Sequence, residues 1–346
     1  MPDRFPMPMP FGWFCIGYSD ELAVGEVKNV HYFDRDMVLF RTESGQVGLS
    51  HPACPHLGAH LGHGGTVQGE SIRCPFHHWQ YDTDGVITDI PYASAIPAKW
   101  QGKPCLKTYP VCEKNEVIWA WYHPEEAAPD HEVIELDEMD DPDWTERQRF
   151  DWTFDSCPQE IAENGVDVAH FKYVHRLEAV PEGETSYENH IRRSRVSGSR
   201  AVTDSEGNQH EVESTIEVVQ NGAGQKWVRF SGFMDYLLQV LVTPVTDETV
   251  EVRFMYLHRH YAQGSPEQLG MQAAIENTNG QKGLEGDLPI WHHKFHLRNP
   301  ILCDGDGPIM RFRRYFSQFY VGGPYPGEDG IPSDLEAVND VRCHCR

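Results

Sequence analysis

The chain has 346 residues, 39% hydrophobic and 24% charged, the balance of a water-soluble folded protein long enough for two cores. A formal net charge of −24 excludes nucleic acid and anionic membrane as partners and suits either solubility or docking of a basic redox protein. No apolar run reaches the length of a membrane span, and Met1–Pro10 lacks a signal-peptide core. The expected location is therefore cytoplasmic.

From Phe11 to Tyr122 the chain reads as short strands punctuated by turns. Val38–Thr42 alternates and ends at Ser44-Gly45, Gln80–Asp82 meets Asp84-Gly85, and Val117–Tyr122 is strongly apolar. This predicts an all-β domain over residues 1–122. Within it stands Cys54-Pro55-His56, followed seventeen residues later by Cys74-Pro75-Phe76-His77. Two thiolates for one iron and two imidazoles for the other are the ligand set of a Rieske [2Fe–2S] cluster, whose imidazoles raise its potential above that of an all-cysteine cluster. Gly58, Gly62, Gly64 and Gly65 let the backbone wrap closely after the first pair. Of the nine cysteines, an odd number that disfavours a disulfide framework, Cys15, Cys105, Cys112, Cys157 and Cys303 read as buried thiols. Cys343-His344-Cys345 reads as a frayed end.

Residues 123–148 form the expected boundary. Between His123 and Glu146 lie eleven Asp or Glu, three prolines and no Lys or Arg, which reads as an exposed acidic linker.

The second domain, residues 149–346, opens with a helical stretch from Pro158 that runs into Val166, Val168, Ala169 and Phe171. Strands are expected at 210–220, 226–233, 237–243 and 249–258, followed by helix over 266–297. The fold class is α+β: helices on one face of an antiparallel sheet. His170 and His175 stand five apart, with Asp167 three before the first. Two imidazoles and one carboxylate make the facial triad of a mononuclear non-haem Fe(II) site, which leaves positions open for O₂ and substrate. The third ligand chosen is Asp287, ahead of Glu285, Asp304 and Asp306. His292, His293 and His296 read as a solvated helix face. Three roles stay open for Asp167. It can accept the second N–H of His170, face a cluster histidine of a neighbouring subunit, or serve as a helix N-terminal charge.

These motifs resemble the Rieske oxygenases, and within them the steroid and sterol branch of 3-ketosteroid 9α-hydroxylases and Neverland-type cholesterol 7-desaturases. The residues that carry the resemblance are Cys54–Leu61, Cys74–Trp79, Ile90–Ala93, Trp121–His123, Asp287 with Ile290-Trp291, Asn299–Leu302, Asp306–Pro308 and Gln318–Tyr320. The resemblance implies a Rieske domain joined to a helix-grip catalytic domain. It further implies head-to-tail homotrimers in which each cluster feeds the next subunit's iron across Asp167. Electrons from NAD(P)H are implied to arrive through a separate flavin reductase, with or without a ferredoxin. The absence of a Gly-x-Gly-x-x-Gly fingerprint agrees. The residue after His77 is often glycine in such relatives; here it is His78.

The function expected is hydroxylation, desaturation or oxidative demethylation of a steroid-like substrate. The expected pocket is walled by Phe171, Phe230, Phe233, Met234 and Leu237. A Rieske oxygenase for aromatic or other small hydrophobic substrates, and a plain Rieske electron carrier, are the alternatives.

Overall fold

The computed structural model describes residues 4–176, 183–203 and 209–325, with backbone alone for 199–203 and 209–212. The tail Cys343-His344-Cys345 lies outside the described residues. Ten strands come first: β1 (Gly12–Tyr18), β2 (Val27–Tyr32), β3 (Arg35–Arg41), β4 (Val47–Ser50), β5 (Thr66–Gln68), β6 (Ser71–Arg73), β7 (Gln80–Tyr81), β8 (Ile87–Asp89), β9 (Val111–Lys114) and β10 (Val117–Tyr122). They form three small antiparallel sheets, ordered β1-β10-β9, β2-β3-β4 and β5-β6-β7-β8. The last sheet and β3 enclose a core of Val38, Phe40, Leu61, Ile72, Tyr81 and Ile87 that also holds Cys54 and Cys74.

The acidic segment that follows departs from the expectation of an exposed linker. Val133, Leu136 and Trp144 are buried. Its backbone is held by side chains distant in sequence. Trp13 and Trp121 donate indole N–H groups to the carbonyls of His131 and Ala127, each at 2.8 Å. Asn115 and Gln225 both donate to the Ile134 carbonyl, and Asn221 donates to that of Glu132. With its polar groups satisfied this way, the strap can lie against the sheet beneath it while most of its carboxylates point to water and Glu138 is buried against Arg229.

That sheet has seven strands: β11 (Glu146–Asp155), β12 (Glu184–Glu188), β13 (Ile191–Thr203), β14 (Gln209–Asn221), β15 (Gln225–Ser231), β16 (Tyr236–Pro244) and β17 (Thr249–His258), in the order β11-β17-β16-β15-β14-β13-β12. Five helices accompany it: α1 (Pro158–Asn164), α2 (Val168–Tyr173), α3 (Pro266–Asn279), α4 (Leu284–Trp291) and α5 (Ile309–Phe316). Strand β16 shows why the sheet needs two coverings. Tyr236, Leu238, Val240 and Val242 pack with Ile161, Met271, Ile275, Leu284 and Trp291 of the helices. On the other face Leu237 meets Leu136 and Trp144 of the strap, and Leu241 meets Trp13 and Trp119 of the first domain. Helices thus cover one face of an antiparallel sheet, as expected for α+β.

A third core joins the two halves, with Phe14, Ile16, Met37 and Ile118 packed against Ala162, Val166, Phe312 and Phe316. Phe5 and Met7 are buried in it. Arg4, just before them, donates from Nη2 to the Trp291 carbonyl at the end of α4 (2.5 Å) and accepts the His296 N–H at 2.9 Å.

Two helical expectations break. The stretch from Pro158 divides into α1 and α2 around Gly165–Asp167. The stretch 266–297 divides into α3 and α4, and residues 292–297 are not helical. Gly280 and Gly283 frame the second break. Strands β11 to β13 carry too many charges for an apolar pattern to mark them.

Candidate iron–sulfur and metal centres

Both Cys-x-(x)-His pairs sit on turns at one end of the first domain. Cys54 N–H bonds the Ala59 carbonyl and Cys74 N–H the Trp79 carbonyl, both at 2.9 Å, so each turn closes on its own cysteine. A side chain at Gly65 would put its Cβ 2.0 Å from the Leu61 carbonyl oxygen. His78 holds a left-handed backbone at φ 59°, the conformation glycine adopts most easily.

Cys54 and Cys74 are buried, whereas His56 and His77 are half-exposed, their rings 4.7 Å apart. Trp79 stacks on His56 at 4.4 Å and 9°, and its indole donates to the Tyr92 hydroxyl at 2.8 Å. The Tyr81 hydroxyl lies 3.2 Å from Cys54 Sγ. Burial pushes the Cys54 thiol up, and the Tyr81 hydrogen bond partly offsets this. His77 Nδ1 is buried with no hydrogen-bond partner. Two buried thiols, two converging imidazoles and an orphaned ring nitrogen fit an iron–sulfur cluster.

The second centre is assembled from α2, the residues just after it, and α4. Donor atoms of His170, His175 and Asp287 all lie within 4.8 Å of one another. His170 Nε2 is 3.0 Å from His175 Nε2, which is 3.5 Å from Asp287 Oδ2. Asp167 is the N-cap of α2, its carboxylate accepting the His170 backbone N–H at 3.2 Å. The imidazole's second N–H goes elsewhere than the carboxylate: His170 Nδ1 donates to the Asp167 carbonyl at 2.5 Å. That bond fixes the tautomer and turns the Nε2 lone pair toward His175.

Asn164, at the end of α1, donates to Asp287 Oδ2 at 2.9 Å. This side chain was missed in the sequence, because only the fold brings α4 back to α1. Gly307, at φ 81°, packs where its Cβ would stand 2.5 Å from the Val166 carbonyl, so the loop before α5 backs the α1–α2 turn.

Electrostatics agree with a cation here. Burial lowers the proton affinity of His170 despite the Asp167 carbonyl. Burial and the neighbouring His170 push His175 down to about 4. Burial pushes Asp287 up to about 7, against the Asn164 hydrogen bond and with the Asp167 charge adding to the rise. Two neutral imidazoles facing an under-compensated carboxylate are what a divalent ion completes.

The other sequence candidates separate. Glu285 lies on the outer side of α4, and Asp306 accepts the Cys303 N–H at 2.6 Å; neither it nor Asp304 joins the triad. His292 and His293 are exposed at the end of α4. His296 is not on a solvated helix face: it is buried and bonded through Nδ1 to Glu160 at 2.5 Å. Cys303 is exposed rather than buried.

Among the pocket residues, Phe171 contacts both histidine rings, at 4.2 and 5.7 Å. Phe230 and Met234 lie on the helix side of the sheet, and Phe233 and Met234 reach Gly270 of α3. Leu237 does not share that side. Side chains alternate along a strand, so Leu237 faces the strap while Tyr236 and Leu238 face the helices.

Comparison with known proteins agrees with the geometry. Residues 12–110 match the Rieske [2Fe-2S] domain, and residues 120–320 match the 3-ketosteroid 9alpha-hydroxylase C-terminal domain. A probable 3-ketosteroid-9-alpha-monooxygenase oxygenase component of Rhodococcus rhodochrous is 30% identical over 90% of this chain and 79% of its own. A cholesterol 7-desaturase of Caenorhabditis elegans is 30% identical over 95% and 81%. Among solved structures, apo dicamba monooxygenase shares the fold with a TM-score of 0.67 at 19% identity, covering 89% of this chain and 96% of that one. The chain belongs to the Rieske oxygenases, in the family defined by the 3-ketosteroid 9α-hydroxylase C-terminal domain.

Proposed function

We propose that this oxygenase component oxidises an unactivated C–H bond of an apolar, steroid-like polycycle. Hydroxylation, desaturation and oxidative demethylation are the outcomes open to it. The observation that carries the reading is the convergence of His170, His175 and Asp287 in a chain that also carries the paired Cys-His turns. The names of the steroid-oxidising relatives support the substrate class. In this reading Cys54, His56, Cys74 and His77 hold the cluster, and His170, His175 and Asp287 hold the iron. Once bound, the two groups supply one-electron transfer and O₂ activation.

The chain's own residues do the rest. Asn164 holds Asp287 so that one carboxylate oxygen faces the imidazoles. The Asp167 carbonyl keeps a proton on His170 Nδ1 and off Nε2. Phe171, Phe230 and Met234 line an apolar side that excludes water and accepts rings. Trp79 keeps His56 at the molecular surface, where an electron leaves.

We take residues 1–122 as the electron-storing domain, 123–148 as the strap and 149–346 as the catalytic domain. The assembly proposed is a head-to-tail homotrimer, with Asp167 between one protomer's cluster histidines and the next protomer's iron. Exposed Leu57, Phe76 and Tyr92 around the cluster turns support it, as do exposed Tyr173, Ile301 and Leu302 on the catalytic domain. The electron donor is a flavin reductase using NAD(P)H, directly or through a ferredoxin, and the location is cytoplasmic. No helix among the described residues is long and apolar enough to cross a membrane.

The test is incubation of the protein with a surrogate reductase, NADH and a panel of sterols, 3-ketosteroids and arenes. A product heavier by one oxygen, or lighter by two hydrogens, from the polycyclic members is the expected result. Turnover of arenes alone would overturn the substrate class.

A further inference from the structure

Strands β12 to β15 carry a polar row on the helix side of the sheet. Tyr187 pairs across with Arg192, Arg192 with Gln220, and Gln220 with Lys226. Directly opposed residues share a face. The row continues through Val240, Phe254 and Phe150, which pack with the helices. Four polar side chains thus stand where the rest of the same row is apolar.

Their polar atoms are largely unmatched. Arg192 is 2% exposed and Gln220 1%. Arg192 Nη2 reaches the Gly165 carbonyl at 3.4 Å and Ser194 Oγ at 3.1 Å, but Nε and Nη1 have no partner. The Tyr187 hydroxyl, which interacts electrostatically with Arg192, and Gln220 Oε1 are also buried without a geometric hydrogen-bond partner, while Gln220 Nε2 donates to the Gly222 carbonyl at 3.2 Å. Lys226 has no carboxylate partner among the described residues.

The two cations converge. A Cβ built on Gly165 would lie 3.4 Å from Lys226 Nζ and 4.0 Å from Arg192 Nη1, so both groups aim at one point under the α1–α2 turn. The carboxylates around that turn are committed elsewhere. Glu160 pairs with Lys294 and His296, Glu163 with Arg313, Asp167 caps α2, and Asp287 takes Asn164. Burial, with Arg192 beside it, pushes Lys226 down to about 8. Two like charges, Arg192 buried and Lys226 half-buried, without a carboxylate counter-ion lower stability, and a ligand anion removes that penalty.

We propose that Arg192, Lys226 and the Tyr187 hydroxyl form an oxyanion subsite beneath the α1–α2 turn that precedes the histidine pair, and that the substrate is an apolar polycycle bearing a carboxylate. The Arg192 fork and the Lys226 ammonium take the two carboxylate oxygens, and Tyr187 donates a further hydrogen bond. Gln220 stands between Arg192 and Lys226 in the strand register. The polycyclic part rests on the function proposed above; the anion site stands without it.

Two measurements on the full-length protein separate these claims. The first is calorimetric binding of cholanic acid and of methyl cholanate to wild type and Lys226→Met. The acid is expected to bind wild type about ten- to hundredfold more tightly than the ester, the range of a hydrogen bond to a charged group. The variant should bind both at the ester's affinity. The second is thermal unfolding in acetate against chloride at equal ionic strength. Acetate should raise the Tm of wild type and leave that of Lys226→Met unchanged. The variant's own Tm should equal or exceed that of wild type in chloride, because a buried charge is gone. If neither steroid binds but the acetate shift is lost in the variant, the anion site stands and the polycyclic substrate falls. An acid preference that survives in Lys226→Met, or no acetate shift in wild type, overturns the subsite.

Discussion

At the scale of single residues, the catalytic domain turns on what holds the ligands rather than on the ligands alone. Asp287→Ala should remove about one iron per chain and all turnover while leaving the cluster's visible absorbance intact. Asn164→Ala tests the support. Without its amide, Asp287 Oδ2 loses its hydrogen bond and the carboxylate rotates freely. Iron affinity should fall about 10- to 100-fold, measured by chelator competition. An affinity equal to wild type would reduce Asn164 to a packing role. At the cluster, Tyr81→Phe removes the hydroxyl beside Cys54 Sγ. A hydrogen bond to sulfur stabilises the reduced cluster, so the midpoint potential should drop. A bond worth about 1 kcal/mol corresponds to about 40 mV for one electron.

The candidate ligands could be read from the sequence because each pair is local. Cys54 and His56, Cys74 and His77, and His170 and His175 stand within five residues of each other, so turn geometry alone brings them together. Asp287 needed the resemblance as well as the residue type. Asn164 and Tyr81 carry no such local signal, since their partners lie 123 and 27 residues away.

At the scale of elements, α1 is the member on which the catalytic end is hung. Its buried Glu160 bonds His296 at 2.5 Å and Lys294 at 2.5 Å, and its Glu163 is gripped by Arg313. Burial would raise the Glu160 carboxyl, but His296 and Lys294 outweigh it and hold it down at about 2, against an ordinary value of 4.5. A depressed carboxyl stabilises the fold above its unfolded value and loses that contribution as pH falls toward its folded one. Stability from this group should therefore be complete above about 4.5 and decline between there and about 2. Glu160→Gln should cost about 1.5–3 kcal/mol at neutral pH, because buried His296 and half-buried Lys294 lose a charged hydrogen-bond partner, and should flatten acid unfolding over that window. Urea titrations at a series of pH values measure both. An unchanged pH profile would assign the acid sensitivity to other carboxylates.

Elements with an apolar period were readable beforehand. The expected strands 210–220 and 249–258 match β14 and β17 to within a residue at each end. Strands β11 and β13 were not, because Arg147, Arg149, Arg193 and Arg195 interrupt their alternation. The strap was misread for the opposite reason. Most of its carboxylates are exposed as charge predicts, but Glu138 is buried against Arg229, and Asn115, Asn221 and Gln225 bond its backbone from other parts of the chain.

At the scale of the whole molecule, the exposed apolar groups around the cluster turns are the proposed subunit interface. Phe76→Asp, together with Leu57→Asp, should leave the Rieske absorbance intact but shift light-scattering mass toward the monomer and suppress turnover in step. Retention of a trimer would place the interface elsewhere. The two domains themselves are not beads on a string, since Phe14, Ile16 and Met37 share one core with Phe312 and Phe316.

The docking of Arg4 onto the Trp291 carbonyl has a consequence for how the protein is made. These partners are 287 residues apart. At a synthesis rate of about 5–20 residues per second, the segment around Arg4 waits roughly 15 to 60 s for its seat to emerge. Phe5 and Met7 remain uncovered during that interval. Chaperone holding of this segment, and a growing advantage of slow, cool expression, are the expected signatures of an early segment that seats on a late one.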